Sequence, residues 1–270
     1  MSIVLLARDI VVTRGAKRLV DGISLDLYAG ELVALIGPNG AGKTTLLHAL
    51  AGALRPDAGS IALHGTPLTQ INPQTLARQR ALLSQQHSLS VALSALEVVM
   101  LGRYPHDESP ATSDAIAHAA LAAVGIADLA ARNLLTLSGG EQTRVQCARV
   151  LAQLWGNAPP AQLPTQLPTQ LPTKLLLLDE PTASLDLKHQ QDLMQLVHGL
   201  AKRTPMAVLA IAHDLNLVAR YADRVLLLRD GRLLAQGAPQ AVFTPANLNR
   251  GFGIDAMVMT HPERGHLVIV

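Results

Sequence analysis

The sequence is short of the residues that most often staple, stack or anchor a chain. Only one of its 270 residues, Cys147, is a cysteine, so it has no internal disulfide and no zinc site built from several thiolates. That suits a reducing compartment. Aromatic residues make up 2% of the chain, too few to stack successive bases of a single strand. The net charge is +2 and the basic residues are scattered, which argues against a surface that tracks nucleic-acid phosphates. No run of about 18 apolar residues occurs, the least that a membrane helix requires. The opening stretch places Arg8 and Asp9 where a signal-peptide core would have to continue. What remains is 49% hydrophobic and 16% charged, with 20 Gly and 16 Pro: a globular chain with room for one or two domains. A soluble protein is expected, touching any membrane only through a partner.

Residues 3–12 and 19–27 alternate or run apolar and read as strands of a small β layer. Residues 31–36 form a short buried-strand pattern that runs into a glycine-rich turn. After the turn, Leu46, Leu47, Leu50 and Leu54 fall at helical spacing within 44–54. From about 86 to 155 the chain is rich in Ala and Leu with helical periodicity, which predicts a helical subdomain. Residues 175–178 and 208–212 read as further buried strands, ending in Asp179 and His213. Strands alternating with helices predict an α/β fold with a mostly parallel sheet, and 224–234 a hairpin around Asp230-Gly231. Residues 156–174 stand apart, because Gln-Leu-Pro-Thr recurs at 162–165, 166–169 and 170–173. Proline at every fourth position excludes helix and central strand, so an extended surface insertion is expected there.

Three motifs carry chemistry. Gly37-Pro38-Asn39-Gly40-Ala41-Gly42-Lys43-Thr44, followed by Thr45, has the spacing of a phosphate-binding loop between a strand and a helix. Its glycines let backbone N–H groups turn inward; Lys43 would reach the β- and γ-phosphates and the Thr44 hydroxyl a Mg²⁺ ion. Asp179 and Glu180 end an apolar strand, where ligands bind in open α/β sheets. There Asp179 would hold the metal and Glu180 polarise an attacking water. Leu137-Ser138-Gly139-Gly140-Glu141-Gln142 opens a helix, either as a second anion site or simply as a helix cap with Glu141 just inside.

With these motifs together, the chain resembles the ATP-binding subunits of ATP-binding-cassette (ABC) transporters. The resemblance spans 1–270 as one nucleotide-binding domain. It implies a P-loop NTPase core of RecA-like type, an antiparallel β layer and an inserted helical subdomain at about 86–155. It implies that Gln85 is the Q-loop glutamine, that Ser184-Leu185-Asp186 is the D-loop, and that His213 is the switch histidine. The implied cofactors are ATP and Mg²⁺, with Thr44, Gln85 and Asp179 at the metal and Glu180, His213 and Gln85 as the catalytic set. It further implies a homodimer in which Ser138, Gly139, Gly140, Glu141 and Gln142 of one copy face the nucleotide of the other. The implied partners are two permease subunits and a periplasmic substrate-binding protein. The implied place is peripheral, on the cytoplasmic face of the bacterial inner membrane, with no nucleic-acid partner.

Residues 82–106, with the tract 97–106, resemble importers of iron chelates, haem and vitamin B12, and residues 138–146 with the tail His261-Pro262-Glu263 resemble the haem branch among them. A ferric siderophore or cobalamin importer is the alternative in the same role. A soluble ABC ATPase acting on DNA or ribosomes is the reading from another class, opposed by the single cassette and the near-neutral charge. A P-loop kinase would leave Ser138–Gln142 and His213 without a role. Three departures matter, the Gln-Leu-Pro-Thr insertion being one. Where relatives place an aromatic against adenine, this chain has Val12-Thr13-Arg14, so either Arg14 stacks instead as a planar cation or nucleotide binding is weaker and less base-selective. After the Q-loop it has Ser90-Val91-Ala92-Leu93-Ser94 in place of aromatics. His261 and His266 are read as solvated tail residues, not haem ligands.

Overall fold

The computed structural model describes residues 2–84, 92–156 and 173–270. Strands β1 (Ile3–Arg14) and β2 (Lys17–Tyr28) pair antiparallel. With β4 (Ala58–Leu63) and β5 (Thr66–Pro67) they form a sheet in the order β2-β1-β4-β5. A second sheet runs β10-β9-β3-β8-β7-β6, built from β3 (Leu32–Ile36), β6 (Arg80–Leu83), β7 (Lys174–Asp179), β8 (Met206–Ile211), β9 (Arg224–Arg229) and β10 (Arg232–Gly237). All its neighbours are parallel except the β9–β10 hairpin.

The central strands are apolar on both faces because both faces are covered. In β7, Leu175 and Leu177 pack toward the antiparallel sheet and α1 (Lys43–Leu50), while Leu176 and Leu178 pack toward the helices on the other side. β8 divides the same way, Leu209 and Ile211 against Val208 and Ala210. The helical layer comprises α3 (Ala95–Met100), α4 (Pro110–Ala123) and α5 (Gly139–Leu154), joined by α6 (Leu187–Arg203). Small residues such as Ala117, Ala120 and Ala148, all at 0% exposure, let these helices approach closely. A third cluster around Val218, Leu227 and Phe243 seats α7 (Leu215–Tyr221), α8 (Pro239–Val242) and α9 (Pro245–Phe252) against β9. The chain ends in the hairpin β11 (Val258–Thr260) and β12 (Leu267–Ile269).

Several elements differ from the expectation. α1 stops at Leu50 rather than 54, because Gly52 takes a left-handed conformation (φ 72°) and leaves Leu54 exposed. Trp155 is buried but extended, past the end of α5. Ser94, at the end of the tract without aromatics, is the N-cap of α3 in a reciprocal capping box with Glu97. The sequence reading had not singled out β4, β6, α2 (Pro73–Gln79) or α6. The Gln-Leu-Pro-Thr repeats lie outside the described residues except for Thr173, whose hydroxyl is 2.9 Å from His64 Nδ1. Among the described residues no helix is long and apolar enough to cross a membrane.

Candidate nucleotide-binding and hydrolysis site

β3 ends at Ile36 and α1 begins at Lys43, so the loop 37–42 makes the whole turn from strand to helix. Gly37, Gly40 and Gly42 have φ of 149°, 78° and 97°. Two of these positions also lack room for a side chain. A Cβ on Gly37 would collide with the Leu228 carbonyl of β9, and one on Gly42 with the Leu19 carbonyl of β2. Gly42 caps α1 without a side chain, so first-turn N–H groups remain for an anion. Lys43 is 5% exposed, and its Nζ donates to the Gly37 carbonyl at 2.8 Å and the Pro38 carbonyl at 3.0 Å. Burial pushes its ammonium below the ordinary value, against the raising fields of Glu180 and Asp179.

The acidic half sits opposite. Thr44 Oγ1 donates to Asp179 Oδ1 at 3.3 Å, while Asp179 Oδ2 is buried with no hydrogen-bond partner among the described residues. Burial pushes the Asp179 carboxyl up from the usual range; the Thr44 bond works against that shift. Glu180 follows with φ 50°, a left-handed conformation rare for a side-chain-bearing residue. Its Oε1 lies 2.6 Å from His213 Nε2. Since β8 runs between β3 and β7, the carboxyl ends of three adjacent parallel strands deliver Lys43, His213 and Glu180 to one place. A cavity of 630 Å³ opens there, lined by Asn39, Gly40, Gly42, Lys43, Thr44, Thr45, Glu180, His213 and Leu19. Leu19 went unnoticed in the sequence, and nothing in its β-strand pattern marks it. Arg14 is exposed and is not among the lining residues, which leaves a stacking role for it without support.

Ser138 and its neighbours form a second constellation. The Ser138 hydroxyl accepts from the Glu141 N–H at 3.3 Å, and the Glu141 carboxylate accepts from the Ser138 N–H at 2.7 Å and its hydroxyl at 2.8 Å. Within one chain the motif therefore is a helix cap, and the Ser138 N–H holds the Glu141 carboxyl below the usual range. Gln142 Nε2 donates to the Leu137 carbonyl. Gly139 and Gly140 lie against the 184–186 loop, where Thr143 Oγ1 is 3.2 Å from Ser184 Oγ and Asp186 caps α6 through the His189 N–H. None of residues 138–142 lines the cavity. Gln85 lies outside the described residues.

Residues 20–154 match the family model described as ABC transporter. The chain belongs to the ABC transporter family and is an ATPase of its transport-coupled, ATP-binding class. It is 47% identical over 266 residues, 98% of each chain, to the hemin import ATP-binding protein HmuV of Bordetella avium (strain 197N). To the protein of the same name from Pseudomonas entomophila (strain L48) it is 48% identical over 258 residues, 95% of each. Among solved structures it is similar to a metal-chelate type ABC transporter in an inward-facing conformation, with TM-score 0.80 and 27% identity. That match covers 100% of this chain and 97% of the other. It is also similar to an ATP-binding cassette in a dimeric post-hydrolysis state bound to ADP and phosphate. There the TM-score is 0.71 and the identity 25%, over 87% of this chain and 98% of the other.

Proposed function

We propose that this chain is the ATP-hydrolysing subunit of a hemin importer, one nucleotide-binding domain over 1–270. In this reading 86–155 is the helical subdomain and 156–174 an insertion. The observation that carries the chemistry is the convergence of Lys43, Glu180 and His213 at three neighbouring strand ends around one cavity, with Asp179 behind them, bonded to the lining Thr44. Lys43 would exchange the Gly37 and Pro38 carbonyls for phosphate oxygens of ATP. Glu180, held by His213, would take the proton of a water attacking the γ-phosphorus as the bond to the ADP oxygen breaks. The partnerless Asp179 Oδ2 beside the Thr44 hydroxyl suits a hard divalent cation, with Gln85 as a further ligand. Mg²⁺ bound there would neutralise charge on the β- and γ-phosphates.

The dimeric solved relative and the position of 138–142 outside the cavity both favour a homodimer. In it, Ser138, Gly139 and Gly140 of one copy would enclose the ATP of the other, with Ser184 and Asp186 at the join. Closure would exclude water and act on two permease subunits fed by a periplasmic binding protein, the ATPase lying on the cytoplasmic face of the inner membrane. The relatives' shared name favours hemin as cargo. The test is ATP hydrolysis and uptake in lipid vesicles holding this subunit with its permease, offered binding protein loaded with hemin, ferric siderophore or cobalamin. Stimulation by hemin alone, with hemin accumulating inside, is expected. Stimulation by another cargo would discard hemin, and none at all in an assembled complex would overturn the importer reading.

A further inference from the structure

A second cavity, of 350 Å³, lies away from the nucleotide site, where the end of α4 meets α5 and α6. Val124, Leu193 and Leu196 give it one apolar side, and two cations, Arg144 of α5 and Lys188 of α6, line its otherwise polar wall. Among the described residues neither cation has a carboxylate within 4.0 Å. The Arg144 guanidinium donates one long bond, Nη1 to the Gly125 carbonyl at 3.3 Å, and its Nε is buried without a partner. A guanidinium carries five N–H donors in a planar fork, so most of this one's donor capacity is unspent. The other titratable lining groups are Asp192, with no cation within 4.0 Å among the described residues, and His189, whose Nδ1 is engaged 2.8 Å from Asp186.

We propose that this cavity is a binding site for a small amphiphilic anion: one carboxylate or phosphate held between Arg144 and Lys188, with a short apolar body against Val124, Leu193 and Leu196. The volume suits a ligand of that size, and the fork geometry suits a planar oxyanion. α5 opens at Ser138 and α6 opens at Asp186, so a ligand clasped between these helices fixes the two loops relative to one another. Anything that changes that placement changes the ligand's affinity, and by linkage the ligand changes it in return. Binding itself does not depend on the proposed ATP-driven closure; its effect on turnover does.

The test uses the full chain without nucleotide, titrated with hexanoate, hexanol or inorganic phosphate and followed by amide NMR shifts. Hexanoate is expected to bind at about 1 mM or tighter, shifting the amides around Gly125, Arg144 and Lys188. Hexanol, lacking the charge, and phosphate, lacking the apolar body, should each bind at least tenfold more weakly. Lys188→Met, at an exposed position, and Arg144→Met should each weaken hexanoate at least fivefold. Absence of saturable shifts, shifts centred elsewhere, or unchanged affinity in Lys188→Met would overturn the site. Equal binding of hexanol would remove the anion requirement, and equal binding of phosphate the apolar one. A hexanoate-dependent change in ATPase rate that Lys188→Met abolishes is the expected functional consequence; a rate indifferent to bound hexanoate would overturn the regulatory part alone.

Discussion

At the scale of single residues the site is held in tension, and Asp179 shows it best. A carboxyl buried to 2% exposure keeps one oxygen without a partner, so its charged form is costly until a cation or donor arrives. Its folded pKa lies above the ordinary value. The unfolded chain therefore releases this proton first, and stability falls as pH rises through the carboxylate range. Asp179→Asn should raise the nucleotide-free melting temperature at neutral pH by about 2 °C. The gain should vanish near about pH 3, where both forms are neutral. Thermal unfolding at the two pH values decides it; a variant no more stable at neutral pH would mean the buried charge is already compensated. Lys43, Thr44, Asp179 and Glu180 stand out in the sequence because their spacing after strand and turn signals suits phosphate chemistry, whereas His213 stands out only through the family resemblance. Leu19 does not stand out, since it shapes the loop through a backbone carbonyl that any residue would supply. The left-handed backbone of Glu180 likewise leaves no mark in the sequence.

Between elements, Arg103 fastens the segment after α3 to the end of α5. Its Nη1 donates to the carbonyls of Ala152 and Trp155, its Nη2 to that of Gly156, and both Nε and Nη2 to the Glu108 carboxylate. Glu108 also accepts from the Ser113 hydroxyl, and the pair is 2% and 5% exposed. This arginine satisfies carbonyls that a helix end would otherwise leave unpaired. Arg103→Met strands a buried carboxylate as well, so the cost should be about 3–5 kcal/mol. Urea unfolding should show the midpoint falling sharply, while Arg8→Met, at an exposed pair, leaves it nearly unchanged. Equal midpoints for the two variants would refute the clamp. β3, β7 and β8 were legible because strands covered on both faces read as unbroken apolar runs. β6 was not: Arg80-Ala81-Leu82-Leu83 is too short to show a period. The end of α1 was overrun because Leu54 keeps the helical spacing after Gly52 has already ended the helix.

For the whole molecule, the layers sort the chemistry into two groups. The parallel sheet presents Lys43, Glu180 and His213 around one cavity, with Asp179 behind Thr44, and the helical layer presents Ser138–Gln142 elsewhere. In the proposed reading one copy would hold a phosphate loop and a base without the second set of donors, and two copies arranged head to tail would complete both sites. The three motifs and their family resemblance made this division readable from the sequence. The seam cavity between α4, α5 and α6 was not readable, because Arg144 and Lys188 lie 44 residues apart in sequence and come to line one cavity only through packing. The most direct test of the central claim is single-turnover ATP hydrolysis by Glu180→Gln, with ATP affinity and oligomeric state measured on the same sample. ATP affinity near the parent's, turnover lowered at least about 100-fold and an ATP-retaining dimer are expected. Turnover within about tenfold of the parent rate would contradict the assignment of Glu180 as the base, and with it the proposed site.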